Sequence, residues 1–261
     1  MVIDTLNRRS FLTAAAGFAL PFAGYHQTHE KQPFLFVSSQ KQADGNHAVV
    51  AVDEGGAIKF EEILPGRGHD TAISPDRKTG IIFARRPGRF AVVIDLRRQK
   101  QVFAVETPAN RHFYGHGFFS ADGRLLFASE NDFENDLGVI GIYSVGNAYN
   151  RIGEFETKGI GPHQILLKSD KNTIVVANGG IATHPDFPGQ KLNLESMSPS
   201  LTYLNVVSGE VIDQALMPKS FQQLSIRHIS EANDGSIWFG GQYEGYLKDK
   251  VPLVGRHIRS Q

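Results

Sequence analysis

Four histidines, His69, His116, His163 and His228, stand at the same place in a repeating phrase. They are 47, 47 and 65 residues apart (116 − 69, 163 − 116, 228 − 163), and the last interval exceeds the period by 18 residues (65 − 47). Neutral imidazole is the commonest side-chain ligand for Zn, Cu, Fe and Ni, so a fold that gathered the four could hold one ion or a cluster. The regularity has a second reading. A histidine repeated once per unit can bond a neighbouring unit's backbone and lock unit to unit, and for any single one of the four that is the commoner role. A 47-residue spacing is no local ligand motif, so both readings stay open at this level.

Two further stretches carry charge that could do chemistry. Arg85-Arg86-Pro87-Gly88-Arg89 could receive an anionic ligand such as a carboxylate or a siderophore, although a solvated loop is the simpler reading. The acidic run Glu130-Asn131-Asp132-Phe133-Glu134-Asn135-Asp136 offers oxygen ligands for a hard cation, but lacks the spacing and the glycine of a calcium loop. A solvated turn suits it better. The chain has no cysteine, which removes disulfides, thiolate metal sites and cysteine nucleophiles. It also has no Gly-x-Ser-x-Gly elbow, phosphate loop or Rossmann glycine pattern, so an enzyme reading has no nucleophile to rest on.

The elements that must position these residues come from the phrase itself. It reads Tyr114-Gly-His116-Gly-Phe-Phe-Ser120-Ala-Asp122-Gly123, followed by an apolar run to Glu130. Related copies begin at Gly68-His69, Gly161-Pro162-His163 and Arg227-His228. Each unit offers about four runs of β-branched and aromatic residues separated by Pro, Gly and Asp turns. A period of that size with that content predicts an all-β β-propeller. Asp76, Asp122, Asp170 and Asp234 fall in the turns after the first strands, where Asp bonds its own turn backbone.

The 18 extra residues fall between the second and third strands of the fourth unit, in a loop over 179–200. The first strand-like run, 34–38, resembles a second strand, so its missing neighbour is expected from the far C-terminus. The stretch 251–261 shows no convincing strand. Seven blades of this period plus a leader would need about 360 residues. The expectation is therefore a truncated, open arc of four to five blades over 34–261, incomplete at its C-terminus. In a propeller the first strands line the central channel, and the loops between second and third strands open on the same face. That would gather the histidines with Arg85, Arg86, Glu130, Asn131, Asp132 and Asn178.

Residues 1–24 are set aside from the fold. Asn7-Arg8-Arg9-Ser10-Phe11-Leu12 has the twin-arginine pattern, and the mildly apolar run over 12–23 is only 12 residues, too short to span a bilayer. The leader predicts export to the periplasm, with a linker over 25–33 and, without a lipobox cysteine, no membrane anchor after cleavage. The formal charge is zero, which leaves no basic excess for nucleic acid.

With its leader, its Gly-x-Gly-His-Asp and Tyr-Gly-His-Gly openings, its Ser-x-Asp-Gly turns, Ala-Ser-Glu-Asn-Asp and Gly-Pro-His, the chain resembles the twin-arginine-exported bacterial propeller family DUF1513. Members of that family are often encoded beside imelysin-type periplasmic iron-uptake proteins, and its full-length members imply about seven blades. The resemblance implies fold and compartment, not a reaction. It makes a periplasmic binding or accessory protein, linked to iron or other divalent-metal acquisition with imelysin-type partners, the leading expectation. A metal-dependent hydrolase of lactonase type and a purely structural interaction platform are the alternatives.

Overall fold

The computed structural model describes residues 36–187, 189–246 and 248–259. The expected leader over 1–24, the linker over 25–33 and the start of the first strand lie outside them.

Five antiparallel sheets follow one another in chain order as the blades of a β-propeller. Blade one holds β1 (Phe36–Lys41), β2 (His47–Val52) and β3 (Ile58–Ile63). Blade two holds β4 (Gly68–Ile73), β5 (Thr79–Ala84), β6 (Phe90–Asp95) and β7 (Lys100–Glu106). Blade three holds β8 (Arg111–Phe119), β9 (Leu125–Asp132), β10 (Leu137–Ser144) and β11 (Asn150–Glu156). Blade four holds β12 (Pro162–Leu167), β13 (Thr173–Asn178), β14 (Ser200–Asn205) and β15 (Val211–Leu216). Blade five holds β16 (Leu224–Glu231), β17 (Ile237–Tyr243) and β18 (Val254–His257).

The alternation of side chains along each strand explains why blades stack. In β5, Ile82 enters a core shared with Val49, Phe60 and Val92 on the blade-one side. Its neighbours Ile81 and Phe83 enter a different core with Phe113, Leu126 and Tyr143 on the blade-three side. The same division places Phe127 with Ile140, Ile165, Ile174 and Leu204, and Val175 with Leu201, Tyr203, Ile226 and Phe239. A period of two on a strand buried on both faces thus feeds two cores at once. Each fully buried Phe, Ile or Leu contributes roughly 1.5–3 kcal/mol of transfer free energy. The outermost strands β7, β11 and β15 alternate exposed and half-buried residues, as a solvated edge requires.

The turn aspartates act as expected. Ser74 and Ser120 donate through Oγ to Asp76 (2.7 Å) and Asp122 (2.6 Å), and the backbone N–H groups of Lys78 and Arg124 close each loop at 3.1 Å. The Ser74 hydroxyl, with Lys78, holds the Asp76 carboxyl down to about 2.

Two expectations change. The tail is not strandless, because β18 lies within 251–261 and pairs with β17 from Ile237↔His257 to Gly240↔Val254. Trp238 and Phe239 give that segment a half-buried surface to pair on, and Tyr203 meets His257 Nδ1 at 2.7 Å. The C-terminal strand therefore joins blade five, and among the described residues no strand lies on the open side of β1. As the sequence pattern predicts, β1 takes a second-strand place: it packs on β4 as β5 packs on β8.

Candidate metal centre

The first strands β4, β8, β12 and β16 pack on one another in sequence order, and each contains its histidine within the strand, not ahead of it. At each histidine the ladder to the second strand slips. The register breaks between Gly68 and Thr71, between Phe113 and Gly117, between Pro162 and Gln164, and between Ile226 and His228. A bulge leaves a residue out of the ladder and re-aims its side chain. The slips leave His69, His116 and His163 out of the ladder, whereas in β16 the residue left out is Arg227 and His228 stays paired with Gly240, beside the slip.

Their ring centroids lie 4.8 Å apart for His69–His116, 5.6 Å for His69–His163 and 5.1 Å for His116–His163. His228 joins at 5.3 Å from His116 and 5.0 Å from His163. His69, His116 and His163 each offer one ring nitrogen such that the three lie within 4.8 Å of one another. An ion with bonds of about 2.1 Å in tetrahedral geometry needs its donors about 3.4 Å apart, so small ring rotations close the set.

Hydrogen bonds fix which nitrogens are available. His116 Nδ1 donates to Asp70 Oδ2 at 2.7 Å, which leaves Nε2 with the lone pair. That Nε2 is buried and has no hydrogen-bond partner, and neither has the buried Nδ1 of His163. His228 Nδ1 lies 3.3 Å from Gln164 Oε1, which also accepts from the Ile229 N–H at 2.8 Å. A carboxylate behind one imidazole and a carboxamide behind another are what hold metal-ligating rings in one tautomer.

For His69, His163 and His228 the electrostatics favour the neutral ring, the form that ligates. Burial, then the neighbouring His116, hold His69 down to about 4, although Asp70 pulls the other way. Burial, and then the other imidazoles with Arg227, push His163 far below the ordinary range. His228 is lowered for the same first reason. Burial would raise Asp70, but the hydrogen bond from His116 leads the opposing influences, so Asp70 is held below its usual value and stays anionic.

One glycine makes the closeness possible. Gly115 sits at φ +103, and a Cβ there would come within 2.4 Å of His69 Cδ2. Any side chain at this position would be strained and would also displace His69.

The other sequence candidates lie apart from this cluster. Glu130 is fully buried, accepting from Tyr143 Oη at 2.5 Å and Arg151 Nη2 at 3.0 Å. Asp132 pairs with Arg111 Nη1 at 2.7 Å and accepts from Asn135 Nδ2 at 2.8 Å. Asn178 donates to Thr157 O, Ser200 Oγ and Thr202 Oγ1 at 3.0–3.2 Å. These three are committed to holding blades three and four. Asn131 donates through Nδ2 to His112 Nε2 and Thr183 O, both at 3.1 Å, which ties blade three to the fourth-blade insertion. Arg85 and Arg86 leave β5 on the histidine side: the Arg85 charge reaches His69, and Arg86 lies over the Tyr114 ring at 5.7 Å.

Sequence reasoning did not assign Asp70, Gly115 or Arg227 to the site. Asp70 stands beside His69 in the chain, yet its partner is His116 of the next blade, 46 residues on.

If Asp70 orients His116 as a ligand, Asp70→Asn should weaken metal binding about 10- to 100-fold with the fold intact. Competition against a chromophoric chelator reads the affinity, and an unchanged value would make the hydrogen bond a blade lock only.

Residues 62–261 match the family model described as protein of unknown function (DUF1513), and the chain belongs to that family. No curated protein matches the chain. Among solved structures it is similar to Kuenenia stuttgartiensis hydrazine synthase, with a TM-score of 0.61 at 17% identity. That likeness covers 88% of this chain and 62% of the other, so the chain spans less than two thirds of the length it matches. At this identity the likeness is one of fold alone.

Proposed function

We propose that this DUF1513 propeller binds a first-row divalent transition-metal ion at His69, His116 and His163, with His228 at the edge of the site. The observation that carries the reading is the set of three ring nitrogens within 4.8 Å, one of them backed by Asp70. Imidazole nitrogens without carboxylate ligands suit Zn, Cu, Fe or Ni over Mg or Ca. Such a site fits a binding or accessory protein in metal acquisition. Iron is favoured by the family resemblance and its imelysin-type neighbours, and those uptake proteins are the natural partners. The test is metal analysis and titration of the purified protein with Zn²⁺, Ni²⁺ and anaerobic Fe²⁺. One ion per chain with a micromolar or tighter Kd supports the proposal, and no saturable binding of any of the three overturns it.

The same proposal places the protein in the periplasm, supported by the Arg8-Arg9 leader. The export receptor reads a pair of guanidinium groups, so replacing both arginines by lysine should leave the precursor in the cytoplasm. Fractionation and immunoblotting check this, and an unchanged periplasmic yield would assign the leader to another route.

A further inference from the structure

Beside the histidine cluster lies a second feature built from different residues. The insertion, described over 179–187 and 189–199, is held by bonds within itself and to blade five, and it faces Arg85 and Arg86 at the exit of β5. Asn193 accepts from Ala182 N at 2.7 Å and donates to Gly180 O at 2.9 Å. Gln223 donates to Leu194 O at 3.2 Å, and Lys191 pairs with Glu244. Together with Asn131 to Thr183, these make the insertion a roof. Beneath it is a cavity of about 150 Å³, lined by Arg85, Arg86, His112, Thr183, His184 and Gln190 among others. That volume is on the scale of one benzene-sized molecule.

The lining contains no carboxylate. Among the described residues neither Arg85 nor Arg86 has an acidic group within ion-pair distance. Arg86 Nη1 is buried without a hydrogen-bond partner, while its guanidinium is held over Tyr114. His112 is spoken for: Nδ1 donates to Phe113 O at 3.0 Å and Nε2 accepts from Asn131, so it is a neutral wall. His184 Nδ1 accepts from Asp186 N at 3.2 Å and lies 3.7 Å from Asp186 Oδ2, so its Nε2 is the ring atom not engaged by Asp186. Arg227 stands near enough for its charge to be opposed by Arg86, and Glu244 Oε1 answers it at 3.2 Å. Among the described residues Arg86 has no such answer. A planar fork of donors on a half-buried side chain, with one nitrogen buried and unpartnered and the guanidinium over an aromatic ring, suits a carboxylate or phosphate oxygen pair.

We infer that the cavity between Arg86 and the 179–199 insertion is a binding site for a small oxyanion, a carboxylate- or phosphate-bearing molecule. Arg85 and Arg86 supply the charge, Thr183, His184 and Gln190 add hydrogen bonds, and His112 closes the inner wall. The site uses no histidine of the metal cluster, so it stands or falls separately from the metal reading.

The experiment is isothermal titration of the metal-free protein with malonate and, in a separate arm, with inorganic phosphate. At least one probe should bind saturably at one site per chain, and which one binds assigns the source of the oxyanion. Arg86→Gln should weaken that binding roughly 10- to 100-fold, the range for a lost bond to a charged group. Arg86→Lys keeps the charge, loses the fork and should fall between. Melting curves and zinc affinity should be the same for all three proteins. The His116→Ala, His163→Ala protein should bind the anion as wild type does. The inference is overturned if neither probe binds, if Arg86→Gln binds as tightly as wild type, or if the double histidine variant loses the anion too.

Discussion

Replacing His116 and His163 together by alanine is expected to abolish binding of the divalent ion while leaving the far-ultraviolet β spectrum unchanged. The two rings supply two of the three donor atoms that lie within 4.8 Å, and no other cysteine, histidine or acidic group among the described residues completes such a set with His69 alone. The same variant decides between a ligand cluster and a set of blade locks. A lock works through hydrogen bonds, and each buried one lost would lower stability by about 1–3 kcal/mol. Here His116 Nε2 and His163 Nδ1 make none, and His116 keeps only the bond to Asp70. Removing the rings therefore takes away unsatisfied buried nitrogens along with some packing. The metal-free variant should melt close to metal-free wild type. Saturating metal should raise the wild-type melting temperature, by about 2.7 kcal/mol of stability at a free-ion concentration 100 times Kd, and leave the variant unmoved. A variant that melts much earlier than wild type without metal, in a protein that metal does not stabilise, would return the histidines to a structural role.

The propeller was legible because its repeat is long, and its strand period of two feeds a separate core on each face of every blade. Ile81, Ile82 and Phe83 carry that pattern in three consecutive residues. The turn aspartates were legible for a local reason, since Asp76 and Asp122 bond atoms two residues away. The convergence of the histidines followed from topology. The bulges did not, because a register slip at Gly68/Thr71 or Phe113/Gly117 depends on the partner strand and leaves no mark within its own. Asp70 was hidden for a related reason: a carboxylate next to one histidine serves the histidine of the next blade. Glu130 and Asn178 look like open-face ligands in the chain, and only packing shows them turned inward to Tyr143, Arg151, Thr157 and Thr202. The strand in the tail was missed because Val254, Gly255, Arg256 and His257 carry little β-propensity as a group. The waiting edge of β17 supplies the order.

Stability of the metal-free protein should fall between about pH 6.5 and pH 4, with His112 a principal cause. Its ring is 1% exposed, and burial first, then the charges of Arg86 and His184, hold it down to about 4 from 6.5, against the Phe113 carbonyl that favours protonation. In the unfolded chain the same imidazole protonates near pH 6.5. Over the window between those values the unfolded state binds the extra proton and the folded state does not, so stability rises with pH there. Above 6.5 both states are neutral, and below 4 both are charged, so the contribution is flat outside the window. A shift of this size corresponds to about 3 kcal/mol for the one buried ring. His69, His163 and His228 are lowered too and act with the same sign, though His69 and His228 are exposed enough that solvent screens much of their share. Metal ions hold imidazoles in the neutral form, so loss of metal should steepen with the same protons. Chemical denaturation at pH 7.5, 5.5 and 4.5 measures the slope. His112→Gln removes the titrating ring while offering an amide to Asn131, and should flatten the profile by about one proton's worth. A variant whose stability falls with pH as steeply as wild type would show that His112 is reached by solvent and protonates in the folded state.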